Sequence, residues 1–182
     1  CILRFTATKT FSVSSLPQCD PARTPEEGVQ VLDTGRFLYT AYSGGSQEEV
    51  KVYDVQNETL VGQTEEGVSA SALSASYSGN YAVVETDEPA LYDVGGNHVR
   101  RIGPVPEYSS SHFRWIEPSN AEDQFATYDD GTITIRRARD LSRVQQFNVN
   151  ASLTYLGYDA GTNLLWGTDE VENRLYVFSV HS

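Results

Sequence analysis

QFATYDDGTITIRRA, residues 124–138, holds two short runs of strand-forming residues around one tight turn. Gln124–Asp129 and Thr132–Ala138 are rich in Phe, Thr, Tyr and Ile, side chains that suit a pleated, half-buried surface. Thr132-Ile133-Thr134-Ile135 alternates polar with apolar, the period of a strand with one wet and one dry face. Asp130-Gly131 is a turn dipeptide of the kind that closes a hairpin.

The same two runs recur along the chain. VKVYDV at 50–55, PALYDV at 89–94, ITIRRA at 133–138 and LYVFSV at 175–180 can be laid on one another, with starts 39, 44 and 42 residues apart. FLYTAY at 37–42, YAVVET at 81–86, QFATYD at 124–129 and LLWGTD at 164–169 precede them, with starts 44, 43 and 40 residues apart. Two independent landmarks keep one period, which is the signature of an internal repeat. The turns between them, SGGSQEE, TDE, DDG and TDEVEN, are polar.

A further strand is expected before each pair: VQVLD at 29–33, a weak member, then ALSASY at 72–77, FRWIEP at 113–118 and LTYLGY at 153–158. These end in turns at Asp33-Thr34-Gly35, Ser78-Gly79-Asn80, Pro118-Ser119-Asn120 and Asp159-Ala160-Gly161. A fourth strand follows three of the repeats: TLVGQT at 59–64, HVRRIG at 98–103 and RVQQFNV at 143–149. No segment keeps a helical period beyond a turn or two. The expected class is all-β, with four antiparallel strands per repeat of about 40 residues. A single sheet of that size exposes both faces, so successive sheets must stack to bury them.

That pattern is the blade of a β-propeller, and the chain from about residue 28 onward resembles the WD-repeat-like β-propellers. The carriers are DTGRFLYTAY, YSGNYAVVET and DAGTNLLWGT, together with Val52-Tyr53-Asp54 and Leu91-Tyr92-Asp93. The Tyr-Asp pairs stand where the family has Trp-Asp; the third repeat has Arg136-Arg137 there, the fourth Phe178-Ser179, and the family's Gly-His pair is missing. The expected organisation is 1–27, the end of a preceding blade plus a connecting loop; 28–66, 67–107 and 108–149, three blades; and 150–182, a blade lacking its last strand. ILRFTA at 2–7 and KTFSV at 9–13 read as two strands of the preceding blade. These uneven ends and the absence of any Met lead to the expectation of part of a larger propeller, with a compact four-bladed form as the alternative.

Charge narrows the partners. The chain carries 25 Asp plus Glu against 13 Lys plus Arg, a formal charge of −12, which argues against phosphate-backbone binding and hence against nucleic acid. No apolar run approaches the ~18 residues of a membrane span. The turn after the second strand of each repeat is acidic: Glu48 and Glu49, Asp87 and Glu88, Asp129 and Asp130, then Asp169, Glu170 and Glu172. In stacked blades, equivalent turns share one face. These nine carboxylates would form a rim that attracts a partner with a basic surface, or would simply protect short strand edges. Setting them aside leaves 16 acids against 13 bases.

Catalytic and metal signals are sparse. His98, His112 and His181 have no ligand spacing, Cys1 and Cys19 are too few for a zinc site, and no Gly-x-Ser-x-Gly elbow occurs, so neither cofactor, metal nor catalytic residue is expected. Separate turns would hold calcium ligands too far apart. Arg136, Arg137, Arg139 and Arg143, with Arg100 and Arg101, are expected to be exposed or paired with neighbouring acids, or else to form a contact patch for an acidic segment. Trp115 and Trp166 are expected to pack between blades.

The resemblance implies a non-catalytic scaffold for protein–protein interaction in a multiprotein assembly, as in signalling or membrane trafficking, in the cytoplasm. The alternative is an extracellular or cell-surface propeller that binds a ligand or glycan. A Cys1–Cys19 disulfide or sugar on the Asn57 or Asn150 sequon would favour it. A propeller hydrolase is the third option.

Overall fold

The computed structural model describes the backbone of residues 2–5, 11–14, 29–31, 36–42, 48–54, 57, 59–64, 72–117 and 122–180, and the side chains of 36, 50–54, 57, 59–64, 72–117 and 122–180. Cys1, Cys19, His181 and the expected turns at 33–35 and 118–120 lie outside the described residues.

All described secondary structure is β. A hairpin of β1 (Ile2–Phe5) and β2 (Phe11–Ser14) precedes four sheets. Blade 1 comprises β3 (Val29–Val31), β4 (Arg36–Tyr42), β5 (Glu48–Asp54) and β6 (Thr59–Gln63). Blade 2 comprises β7 (Ala72–Ala75), β8 (Tyr81–Glu85), β9 (Ala90–Asp93) and β10 (Arg100–Pro104). Blade 3 comprises β11 (Arg114–Ile116), β12 (Gln124–Asp129), β13 (Thr132–Arg137) and β14 (Arg143–Asn148). Blade 4 comprises, among the described residues, β15 (Tyr155–Asp159), β16 (Leu164–Asp169) and β17 (Arg174–Ser179). Each sheet is an antiparallel meander in chain order, and the first strands of neighbouring blades approach each other, β3 against β7 and β11 against β15. This is the propeller arrangement, with first strands inward and last strands outward.

The hairpin at residues 130–131 forms as its dipeptide requires. Asp130 (φ 40°) and Gly131 (φ 75°) both take the left-handed region, and Asp129 pairs with Thr132 across a two-residue loop. The strands are shorter than their apolar runs in places. FRWIEP yields only Arg114–Ile116, and HVRRIG starts its strand at Arg100, leaving His98 in the preceding bend.

The core lies between the blades rather than within one sheet. Val50 and Val52 of blade 1 pack with Leu73, Ala82, Val84 and Tyr92 of blade 2. The opposite face of blade 2, through Val83 and Leu91, packs with Phe113, Trp115 and Phe125 of blade 3. The far face of blade 3, through Ala126, Ile133 and Ile135, packs with Leu156 and Leu165 of blade 4. Period-2 alternation therefore serves two interfaces at once, and each fully buried Leu, Val or Phe contributes about 1.5–3 kcal/mol relative to an exposed one.

The third and fourth strands share a feature that the sequence repeat does not announce. In each complete blade their register slips by one residue: between Val52 and Tyr53, between Arg101 and Gly103, and between Ile135 and Arg136. One extra aliphatic residue stands on the outer strand each time, Val61, Ile102 and Val144. Such a bulge bends and twists the outer strand.

Candidate functional site

The acidic turns emerge at equivalent ends of successive sheets, between β8 and β9, β12 and β13, and β16 and β17. Local hydrogen bonds fix each one. The Thr86 hydroxyl accepts from Glu88 N (3.1 Å) and donates to Glu88 O (2.7 Å). Gly131 N donates to the Tyr128 hydroxyl (3.2 Å), and Val149 N donates to Gly131 O (2.6 Å).

Of the nine expected rim acids, Asp87, Glu88, Asp129, Asp130, Glu170 and Glu172 are exposed. Glu88 pairs with Arg101 (3.3 Å) and Glu172 with Arg174 (2.8 Å). Asp87, Asp129, Asp130 and Glu170 carry no ion pair among the described residues. Asp169 is a correction: it is 3 % exposed, and its carboxylate accepts from Val171 N and Glu172 N, both at 3.0 Å. Its charge satisfies two turn amides and is not presented to solvent. Glu48 and Glu49 are also displaced from expectation. They open β5, opposite Tyr42 and Ala41, rather than standing in the turn, and their side chains lie outside the described residues.

All but Arg143 of the basic cluster is paired with acids. Arg136 faces Glu107 (3.6 Å), Arg137 meets Glu122 (2.8 Å), and Arg139 meets Glu122 (2.9 Å) and Asp140 (3.3 Å). Arg100 pairs with Asp93 (3.3 Å), and Arg143 donates to Gln146 (2.7 Å). Alternation along β13 sends Arg136 and Arg137 to opposite faces, and each finds its own carboxylate. Ser142 amide and hydroxyl bonds to Asp140 hold that carboxyl below the usual range.

The pairs of Arg137 and Arg139 with Glu122 line a polar cleft of about 390 Å³ between blades 2 and 3, together with Tyr81, His98 and Asp123 among others. Asp123, 5 % exposed, accepts from the Ser78 hydroxyl and, at 3.4 Å, from Ser78 N, so it ties the blade 2 turn to blade 3. Sequence reading recognised the Ser78 turn and the arginines but not Asp123 or Glu122, because acids outside the repeat carry no local signal of their partners. His112 is half-buried, stacks edge-on against Tyr128 (5.1 Å) and leaves Nε2 without a hydrogen-bond partner among the described residues.

At the inner end of the sheets, Tyr77 of blade 2 meets Tyr158 of blade 4 edge to face, 6.2 Å apart. Burial and then the charges of Glu117 and Asp159 raise the Tyr77 pKa. Among the described residues no three His, Cys, Asp or Glu side chains are grouped to hold a metal ion, and no helix is long and apolar enough to cross a membrane.

No protein-family model matches the chain, and no curated protein matches it in sequence. Solved structures do match in shape. The β-propeller domain of Cps50 (Swd1) from Myceliophteria thermophila superposes with a TM-score of 0.51 at 12 % identity, over 85 % of this chain and 54 % of that one. BamB from Moraxella catarrhalis gives 0.51 at 11 % identity, over 84 % of this chain and 42 % of that one. The computationally designed Ika8 protein gives 0.48 at 14 % identity, over 84 % and 45 %. The chain thus spans about half the length of the structures it matches. What is similar is the fold: this chain is built of β-propeller blades.

Proposed function

We propose that this chain is a non-catalytic protein-interaction module whose acidic turns dock a partner with a basic surface. The observation that carries the reading is the row of exposed, unpaired carboxylates, Asp87, Asp129, Asp130 and Glu170, on matching turns of blades 2, 3 and 4. Clustered like charge raises the local concentration of an oppositely charged partner and speeds encounter, an effect that salt weakens. Among the described residues, Arg136, Arg137, Arg139, Arg100 and Arg101 are engaged by acids, so these arginines offer no comparable run of unpaired charge. A role as a scaffold in a larger multiprotein assembly follows from this reading.

An oligolysine peptide serves as probe in calorimetry at low and high salt. The triple variant D87K/D130K/E170K should lose its binding, while D140K/E117K/D159K, with the same change in net charge elsewhere, should retain most of it. Equal losses in the two variants would mean that only net charge matters and that there is no docking rim.

A further inference from the structure

Blade 2 contributes to the polar cleft the turn from Asp93 to His98, with Asn80 and Tyr81 at the start of β8. Blade 3 contributes Glu122, Asp123, Arg137 and Arg139. The protein holds this turn in place. Arg36 of blade 1 donates to Gly95 O and Gly96 O, both at 3.0 Å, and Val94 N donates to Asn80 O (2.8 Å). A Cβ on Gly95 would fall 2.5 Å from Asn80 Oδ1, so the Asn80 amide is packed against the turn as only glycine permits.

Every ionic group of the cleft is engaged within the protein. Glu122 joins Arg137 (2.8 Å) to Arg139 (2.9 Å), and Asp93 faces Arg100 (3.3 Å) and His98 (3.5 Å). Asp123 accepts from the Ser78 hydroxyl. Two neutral groups are not engaged: the Tyr81 hydroxyl and the Asn80 side-chain amide have no hydrogen-bond partner among the described residues. Burial, then the charges of Asp93 and Asp123, raise the Tyr81 pKa, so the phenol keeps its proton.

We propose that this cleft is a binding site for a small neutral saccharide, held by the Tyr81 hydroxyl and the Asn80 amide. Phenol and carboxamide each donate and accept, as sugar hydroxyls do, so the two groups match neighbouring hydroxyls of one ring. An ion is a poorer occupant. With Asp93, Glu122 and Asp123 set among Arg137 and Arg139, a charge of either sign would lose its water beside a like one. An apolar ligand would cover the same charged groups without replacing their water. The Tyr81 and His98 rings combine apolar faces with polar tips, which suits the C–H and O–H surfaces of a sugar. The volume of about 390 Å³ falls within the roughly 300–1,000 Å³ of ligand pockets, at the small end. None of these residues belongs to the acidic turns, so this site and the docking rim are independent.

Titration of the ¹⁵N-labelled chain with glucose, galactose, mannose and lactose, followed by amide shifts, tests the site. At least one sugar should give saturable shifts at Tyr81, Gly95 and Arg139, with a dissociation constant in the millimolar range. Y81F removes an oxygen that bonds nothing described in the protein. It should leave the unfolding midpoint unchanged and weaken binding about 2- to 10-fold, the loss of one hydrogen bond. N80A should weaken it similarly and decides the matter should Y81F fail to fold; Y77F, the same change outside the cleft, should have no effect. Inorganic phosphate and spermidine should leave the cleft amides unmoved. Sugar shifts that are absent or never saturate, a stronger response of these amides to either ion, or an unchanged constant in folded Y81F or in N80A would each overturn the proposal.

Discussion

The indole of Trp115 in blade 3 donates to Ser74 in blade 2, to the carbonyl oxygen at 3.3 Å and the hydroxyl at 3.1 Å. The ring is 7 % exposed and packs edge-on against Phe113 (5.3 Å) and Phe125 (5.9 Å). One side chain thus fills the apolar seam between two blades and satisfies its own polar atom across it. W115A should cost about 3–5 kcal/mol, through lost burial and the cavity left behind. S74A removes only one of two acceptors and should cost about 0.5–1.5 kcal/mol. Urea unfolding midpoints measure both; equal costs would place the indole outside the seam.

Gly157 in β15 lies directly under Trp166 in β16, so closely that a Cβ there would fall 2.2 Å from the indole ring. G157A must displace the ring, and a cost of about 1–3 kcal/mol is expected, as for other overpacked sites. Thermal unfolding of G157A against wild type tests this, and an unchanged midpoint would contradict the close approach.

Asp169 and Asp87 occupy neighbouring repeat positions with opposite roles. Removing the Asp169 carboxylate strands two turn amides, and D169A should destabilise by about 0.5–2 kcal/mol, like the loss of a helix cap. D87A, on an exposed turn, should stay within about 0.5 kcal/mol of wild type. Chemical denaturation of the pair separates a structural acid from a surface one.

The Tyr108 hydroxyl donates to Glu85, and its pKa is raised well above the ordinary 10.0, first by burial and then by that bond and the adjacent charge. Below pH 10 both the folded and unfolded chains keep this proton. Above it the unfolded chain ionises first, so the stabilisation is lost progressively as pH rises toward the folded value. Tyr77, Tyr81 and Tyr158 are shifted the same way. The fall in unfolding midpoint above pH 10 should therefore be shallower in Y108F than in wild type, though not abolished; identical slopes would contradict the buried pair.

Much of this fold was legible because β-structure writes itself in local chemistry. Alternation at Thr132–Ile135, the Asp130-Gly131 turn and the repeated second and third strands located β12 and β13 and their equivalents to within a residue or two. Interblade packing of Trp115 followed from its size, and the pairing of Arg136 and Arg137 from the cost of burying charge. Trp166 differs: it lies on the face of blade 4 that no described sheet covers. Asp169 was misplaced because its sequence neighbours are acidic while its partners are backbone amides, which composition cannot display. The bulges at Val61, Ile102 and Val144 were invisible for a similar reason: each depends on registration between two strands, and neither strand alone records it.

Successive sheets stack face to face, with Trp115 wedged between blades 2 and 3. The chain has two tryptophans, so an ¹⁵N spectrum holds two indole signals, and W115F assigns them. Hydrogen exchange of the two indole N–H groups is the direct test. The stacked arrangement predicts slow exchange for Trp115, which is buried and hydrogen-bonded to Ser74, and fast exchange for Trp166 on the uncovered face. Fast exchange at Trp115, at the rate of Trp166, would contradict the stacking of blade 3 on blade 2.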